Sequence, residues 1–145
     1  MHRILRSGMA AAVAALIVAP ATSAWAQDES HAVRGGGIHL TGWSGRIDAR
    51  EAQRGMKLVD ARIAAEGSGF RVTTGPAVTY WNAANRATGD YTVKATFTEE
   101  KYMAINSHAH PYGVVIAGND LGTDQQSYLY CAAYGNGNFI VRGFG

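Results

Sequence analysis

The 145 residues include 13 basic and 11 acidic side chains, a formal charge of +2, and one cysteine. That length makes one domain with a core of moderate size. The near-balanced charge leaves no basic stripe and argues against a nucleic-acid partner, and a lone cysteine cannot close an internal disulfide, so stability must come from packing.

The first 26 residues read as an export signal. Arg3 and Arg6 supply a basic start, residues 9–18 a short apolar run, and Ala24-Trp25-Ala26 the small-x-small pattern cut before Gln27. The run is too short to span a bilayer, and no later segment reaches that length. The expected mature protein is therefore periplasmic or secreted and has no membrane span. Cleavage removes two arginines, which leaves eleven basic against eleven acidic residues. Residues 27–37 are polar and then glycine-rich, as in a mobile leader. A single domain is expected over 38–145.

Within it, Trp43 between two glycines opens a first strand or a sheet-capping loop, and residues 49–53 allow one helical turn at most. Residues 57–64 suit a short strand carrying Leu58, Val59 and Ile63. A turn at 66–69 is followed by strands over 70–74 and 77–81, separated by Gly75-Pro76. Tyr91, Val93, Ala95 and Phe97 alternate with polar residues, the pattern of a half-buried antiparallel strand. Residues 99–111 read as a loop, 113–117 as an inner strand and 119–126 as a polar loop. The last two strands flank Asn136-Gly137, whose tolerance of positive φ suits a two-residue hairpin turn. The fold class is all-β, an antiparallel sandwich or jelly roll. The chain stops directly after a strand and offers fewer strands than a jelly roll, so the expected sandwich is incomplete at its C-terminus; the alternative is a small, complete sandwich with an exposed last edge strand.

With a two-residue turn, Tyr134 faces Phe139 and Ala132 faces Val141. One face then collects Tyr128, Tyr130, Ala132, Tyr134, Phe139 and Val141, and the other Leu129, Cys131, Ala133, Ile140, Arg142 and Phe144. The tyrosine row is a surface on which sugar rings stack, with hydroxyls left for hydrogen bonds; ordinary cross-strand aromatic pairing is the alternative. Cys131 reads as a small buried apolar residue. Trp81, Asn82 and Asn85 offer an aromatic platform with amide donors, or a tryptophan that locks a loop of Asx turns. Arg142 either pairs with Asp90 or Asp48 or extends its head past the sheet end. His108 and His110 would share one face of a strand but lack an evident third ligand, and a solvated loop is the reading adopted for them. Residues 119–124 hold oxygen ligands of the kind calcium takes, without the EF-hand pattern, and are read as a turn. No metal site and no cofactor is expected.

Several short motifs together carry a likeness. Gly45-Arg46-Ile47-Asp48, Gly75-Pro76-Ala77 leading into Tyr80-Trp81-Asn82, Gly89-Asp90-Tyr91-Thr92-Val93, Tyr112-Gly113 and Tyr134-Gly135-Asn136-Gly137 resemble exported bacterial domains of the concanavalin A-like lectin/glucanase superfamily. Within it, the 3-keto-disaccharide hydrolase domain is most similar. The resemblance covers residues 42–144 and implies two curved antiparallel sheets that hold a sugar on the concave face. The chain departs from the glucanases in lacking their Glu-x-Asp-x-Glu strand, since the adjacent Glu99 and Glu100 would point to opposite faces of a strand. Three functions follow as expectations. The first is an exported domain that binds a glycan or glycoside through Tyr128, Tyr130, Tyr134, Trp81, Asn82 and Arg142, with or without hydrolysing it. The second is a non-catalytic interaction module, and the third, the weakest, a metal-dependent enzyme using His108 and His110. Catalytic residues and oligomeric state are not legible.

Overall fold

The computed structural model describes residues 33–73, 75–99, 104–105 and 108–145, with 104–105 and 108–109 described in backbone alone. The expected signal segment and most of the leader lie outside the described residues. Among the described residues, ten strands and almost no helix make the fold all-β. Gly37–His39 (β1), Arg62–Glu66 (β3) and Gly69–Thr73 (β4) form one sheet in the order β1-β3-β4. Trp43–Ile47 (β2) pairs with Val78–Asn82 (β5). Ala104–Ile105 (β6) and His108–Ala109 (β7) form a minimal ladder within the expected 99–111 loop. Tyr112–Asn119 (β8), Ser127–Ala133 (β9) and Phe139–Phe144 (β10) form an antiparallel meander.

The pairing is not wholly antiparallel, because β1 runs parallel to β3. The supposed leader is anchored at its end. Val33 is buried, its N–H donates to the Asp60 carbonyl (2.9 Å), and Gly37 N–H donates to the Ala61 carbonyl (2.6 Å). Apolar burial and paired backbone thus override a glycine-rich composition. Residues 57–64 do not form one strand. Leu58–Asp60 make a 3-10 turn, closed by the Asp60 carboxylate accepting from Lys57 N–H (2.7 Å), and β3 starts afterwards. Ala49–Gln53 (α1) is the single helical turn allowed, capped by Asp48, which accepts from Arg50 N–H.

The core sits under β3, where Val33, Ala61, Ile63 and Ala64 are buried among the described residues. Ile38, Ile63 and Val72 share one sheet face by register, and β2 and β5 pack against that face. The contacts are Trp43 on Phe70, with ring centroids 5.3 Å apart, and Gly45 enclosed by Tyr80 and Ile38. Gly75-Pro76 breaks the chain as expected, but it also redirects it. β4 stays with β3, while β5 crosses to β2.

One expected strand does not form. Residues 91–97 join no sheet among the described residues, and Tyr91, Val93 and Phe97 are each close to half exposed. Alternation encodes which side chains share a face, not which edge supplies the hydrogen bonds. The segment crosses the meander instead. Phe97 meets Tyr112 (centroids 5.4 Å), whose hydroxyl donates to the Glu99 carboxylate (3.2 Å). Val93, Ala95 and Phe97, with Val114, Cys131 and Val141, line a groove of about 370 Å³. Cys131 is half-buried and lines this groove, so it is not a core residue. No helix among the described residues is long and apolar enough to cross a membrane.

Candidate functional site

The site is built on the β9–β10 hairpin, whose turn differs from expectation. Three residues, not two, form the loop. Gly137 N–H donates to the Tyr134 carbonyl (2.9 Å), Tyr134 N–H to the Asn138 carbonyl (2.8 Å), and Asn138 N–H to the Asn136 side chain (3.0 Å). Gly137 takes φ 88°, as in a type I turn followed by a left-handed bulge residue. The extra loop residue slips the register by one. Ala132 faces Ile140, Tyr130 faces Arg142 and Tyr128 faces Phe144. The expected pairs Tyr134/Phe139 and Ala132/Val141 are therefore incorrect, and every side chain of β10 changes face.

Arg142 and Phe144 thus join the tyrosines, while Phe139 and Val141 move to the side of Leu129 and Cys131. Tyr128 stacks on Phe144 with centroids 4.8 Å apart and planes 4° from parallel, and meets Tyr130 edge-on at 6.3 Å. Tyr128 Oη and Thr79 Oγ1 share a hydrogen bond (3.1 Å), which ties this face to β5.

Thr79 and Trp81 occupy one face of β5, opposite Tyr80. The Trp81 indole lies against Gly122, where an added Cβ would come within 3.1 Å of the ring. Gly122 also has φ 91°, so both space and backbone favour glycine there. Trp81 therefore braces the 120–126 loop, a different loop from the one it enters with Asn82 and Asn85. The loop braces itself as well. The buried Gln126 side chain accepts from Gly122 N–H (3.0 Å), and Thr123 donates to the Asp120 carbonyl through both its N–H (3.0 Å) and its hydroxyl (2.8 Å). Asp124 accepts from Arg46 Nη2 (2.6 Å), and Arg46 is the cross-strand partner of Thr79.

The remaining expected site residues are placed elsewhere. Asn82 points to the opposite face from Trp81 and makes an Asx turn, accepting from Ala84 N–H (2.9 Å), with Gly42 against its amide. Asn85 closes the same turn through its backbone. Tyr134 lies past the end of β9, where its backbone closes the hairpin. Neither Asp48 nor Asp90 reaches Arg142. The Asp48 carboxylate caps α1, and Arg142 is exposed, with no hydrogen bond or ion pair among the described residues. The His108 side chain lies outside the described residues, and His110 is half-buried just past β7. Among the described residues, no group of three or more His, Cys, Asp or Glu is placed to hold a metal ion.

Sequence reasoning missed Phe144, Thr79, Arg46 and Asp124 as members of this surface. A three-residue turn would have placed Phe144 on the tyrosine face. The Thr79–Tyr128 and Arg46–Asp124 contacts join residues 49 and 78 positions apart and leave no local signal. The result is a polar-edged aromatic surface of Tyr128, Tyr130 and Phe144, bordered by Thr79, Arg46 and Arg142. Such a surface can stack on a ring and donate hydrogen bonds to it. No family model, characterised protein or solved structure matches the chain.

Proposed function

We propose that this chain is a carbohydrate-binding domain of an exported protein, on a concanavalin A-like sandwich of the kind found in 3-keto-disaccharide hydrolase domains. The observation that carries the reading is the grouping of Tyr128, Tyr130 and Phe144 on one sheet face with Thr79 and Arg142 at its border. Aromatic faces supply apolar contact to a pyranose, while hydroxyl and guanidinium groups supply orientation. Export rests on Arg3, Arg6 and Ala24-Trp25-Ala26. The reading concerns binding; hydrolysis would require a pair of carboxyl groups flanking the sugar.

The test is a glycan array with wild type and Tyr130→Ala, together with thermal melts. The variant is expected to keep its fold and bind about fivefold more weakly or worse, the scale of one lost aromatic contact. A wild type that binds no glycan would sink the proposal. A second reading, a non-catalytic interaction module, then takes its place. It is favoured by the opposite face of the meander, where Phe139 is 78 % and Val141 56 % exposed.

A further inference from the structure

Arg142 is the only charged residue in the three strands of the meander. β8, β9 and β10 contain no other lysine, arginine, aspartate or glutamate. It stands across from Tyr130 on the aromatic face and two residues before Phe144, which lies on Tyr128. The other guanidinium at this border, Arg46, is already neutralised by Asp124 at 2.6 Å. Neither acid proposed from sequence as a partner pairs with Arg142, and the Asp48 carboxylate accepts from Arg50 N–H instead. The face therefore presents one uncompensated positive charge beside stacking surface.

A guanidinium carries a fork of N–H donors that matches a carboxylate in two parallel hydrogen bonds. A neutral sugar would leave that fork bonded to hydroxyls or water, whereas a ring bearing a carboxylate satisfies both its geometry and its charge. We infer that the aromatic face selects acidic sugars, with Arg142 holding the carboxylate of a uronic acid residue while Tyr130 and Phe144 contact its ring. This rests on the carbohydrate-binding reading and narrows it to a substrate class. Salt dependence follows, because Arg142 is exposed and its attraction is screened.

The experiment compares hexagalacturonate with its carboxyl-reduced, neutral counterpart by calorimetry. It uses wild type, Arg142→Gln and Arg142→Lys, each checked by circular dichroism. Wild type is expected to bind the acidic oligomer on the order of tenfold more tightly than the neutral one, the scale of a charge-assisted hydrogen bond. That preference should shrink as salt rises from about 0.05 to 0.5 M. Arg142→Gln should abolish the preference by lowering the acidic oligomer's affinity about tenfold or more, to no better than that of the neutral oligomer, and Arg142→Lys should retain part of it. Equal affinity for the two oligomers, or an acidic preference that survives Arg142→Gln, overturns the inference but leaves the carbohydrate reading standing. Binding of none of these overturns both.

Discussion

The ring of Phe144 lies flat on that of Tyr128, with centroids 4.8 Å apart and planes 4° from parallel. The contact exists because β10 pairs with β9 one residue away from the register that a two-residue Asn136-Gly137 turn would impose. It makes the two aromatic residues of β10 energetically unequal. Phe144→Ala should cost about 1–2 kcal/mol, from the lost pair and the lost area. Phe139→Ala, at a side chain 78 % exposed, should stay within about 0.5 kcal/mol of wild type. Urea denaturation of both variants checks this, and the reverse order would contradict the register.

The turn can be probed separately. Gly137 holds φ 88° with open space around its Cα, so Gly137→Ala should cost about 1 kcal/mol through backbone strain alone. Asn136→Ala removes only the hydrogen bond from Asn138 N–H and should cost less. A two-residue turn would demand positive φ of Asn136 also, and would make the Asn136 variant the worse of the two.

Tyr80 packs over Gly45, and its buried hydroxyl meets no partner among the described residues. Burial pushes its pKa up to about 12 from the ordinary 10.0. Below pH 10 both folded and unfolded chains keep the proton, so the group has no effect on pH dependence. Between pH 10 and 12 the unfolded chain ionises first and stability falls. Tyr80→Phe should reduce that alkaline loss. At pH 7 it should be neutral or stabilising by about 1 kcal/mol, because a buried unpaired hydroxyl is removed. Melting curves of both proteins from pH 7 to 12 test the two effects, and parallel curves would refute the first.

Ile63 is 1 % exposed and is the largest side chain that is fully buried among those described. Ile63→Ala should cost about 2–5 kcal/mol, the range for a cavity beneath a packed sheet. Val72→Ala, on the same sheet face but 52 % exposed, should cost much less. Thermal unfolding of the pair locates the core under β3, and similar losses at both positions would place it elsewhere.

Much of the fold was legible locally. Val, Ile and Tyr runs between glycines marked β4, β5, β8, β9 and β10, and Gly75-Pro76 marked the break between two of them. These features depend on residue type and spacing over a few positions, and a single sequence carries that information. Tertiary structure decided the rest. The alternating run 91–97 pairs with no described strand edge and lies across one face of the meander instead. Val33 was held because its backbone and side chain met Asp60 and the core, distant in sequence.

The candidate site divides in the same way. The sequence by itself determined that Tyr128 and Tyr130 share a face, because side chains alternate along any strand. It could not determine which residues of β10 stand with them, since one added loop residue exchanges the two faces. Nor could it bring Thr79 to Tyr128 or Asp124 to Arg46, because those contacts depend on how separate strand pairs pack. Local chemistry therefore set the elements and their periodicity. Register, strand pairing and packing, which are properties of the folded chain, placed Arg142 and Phe144 beside the tyrosines.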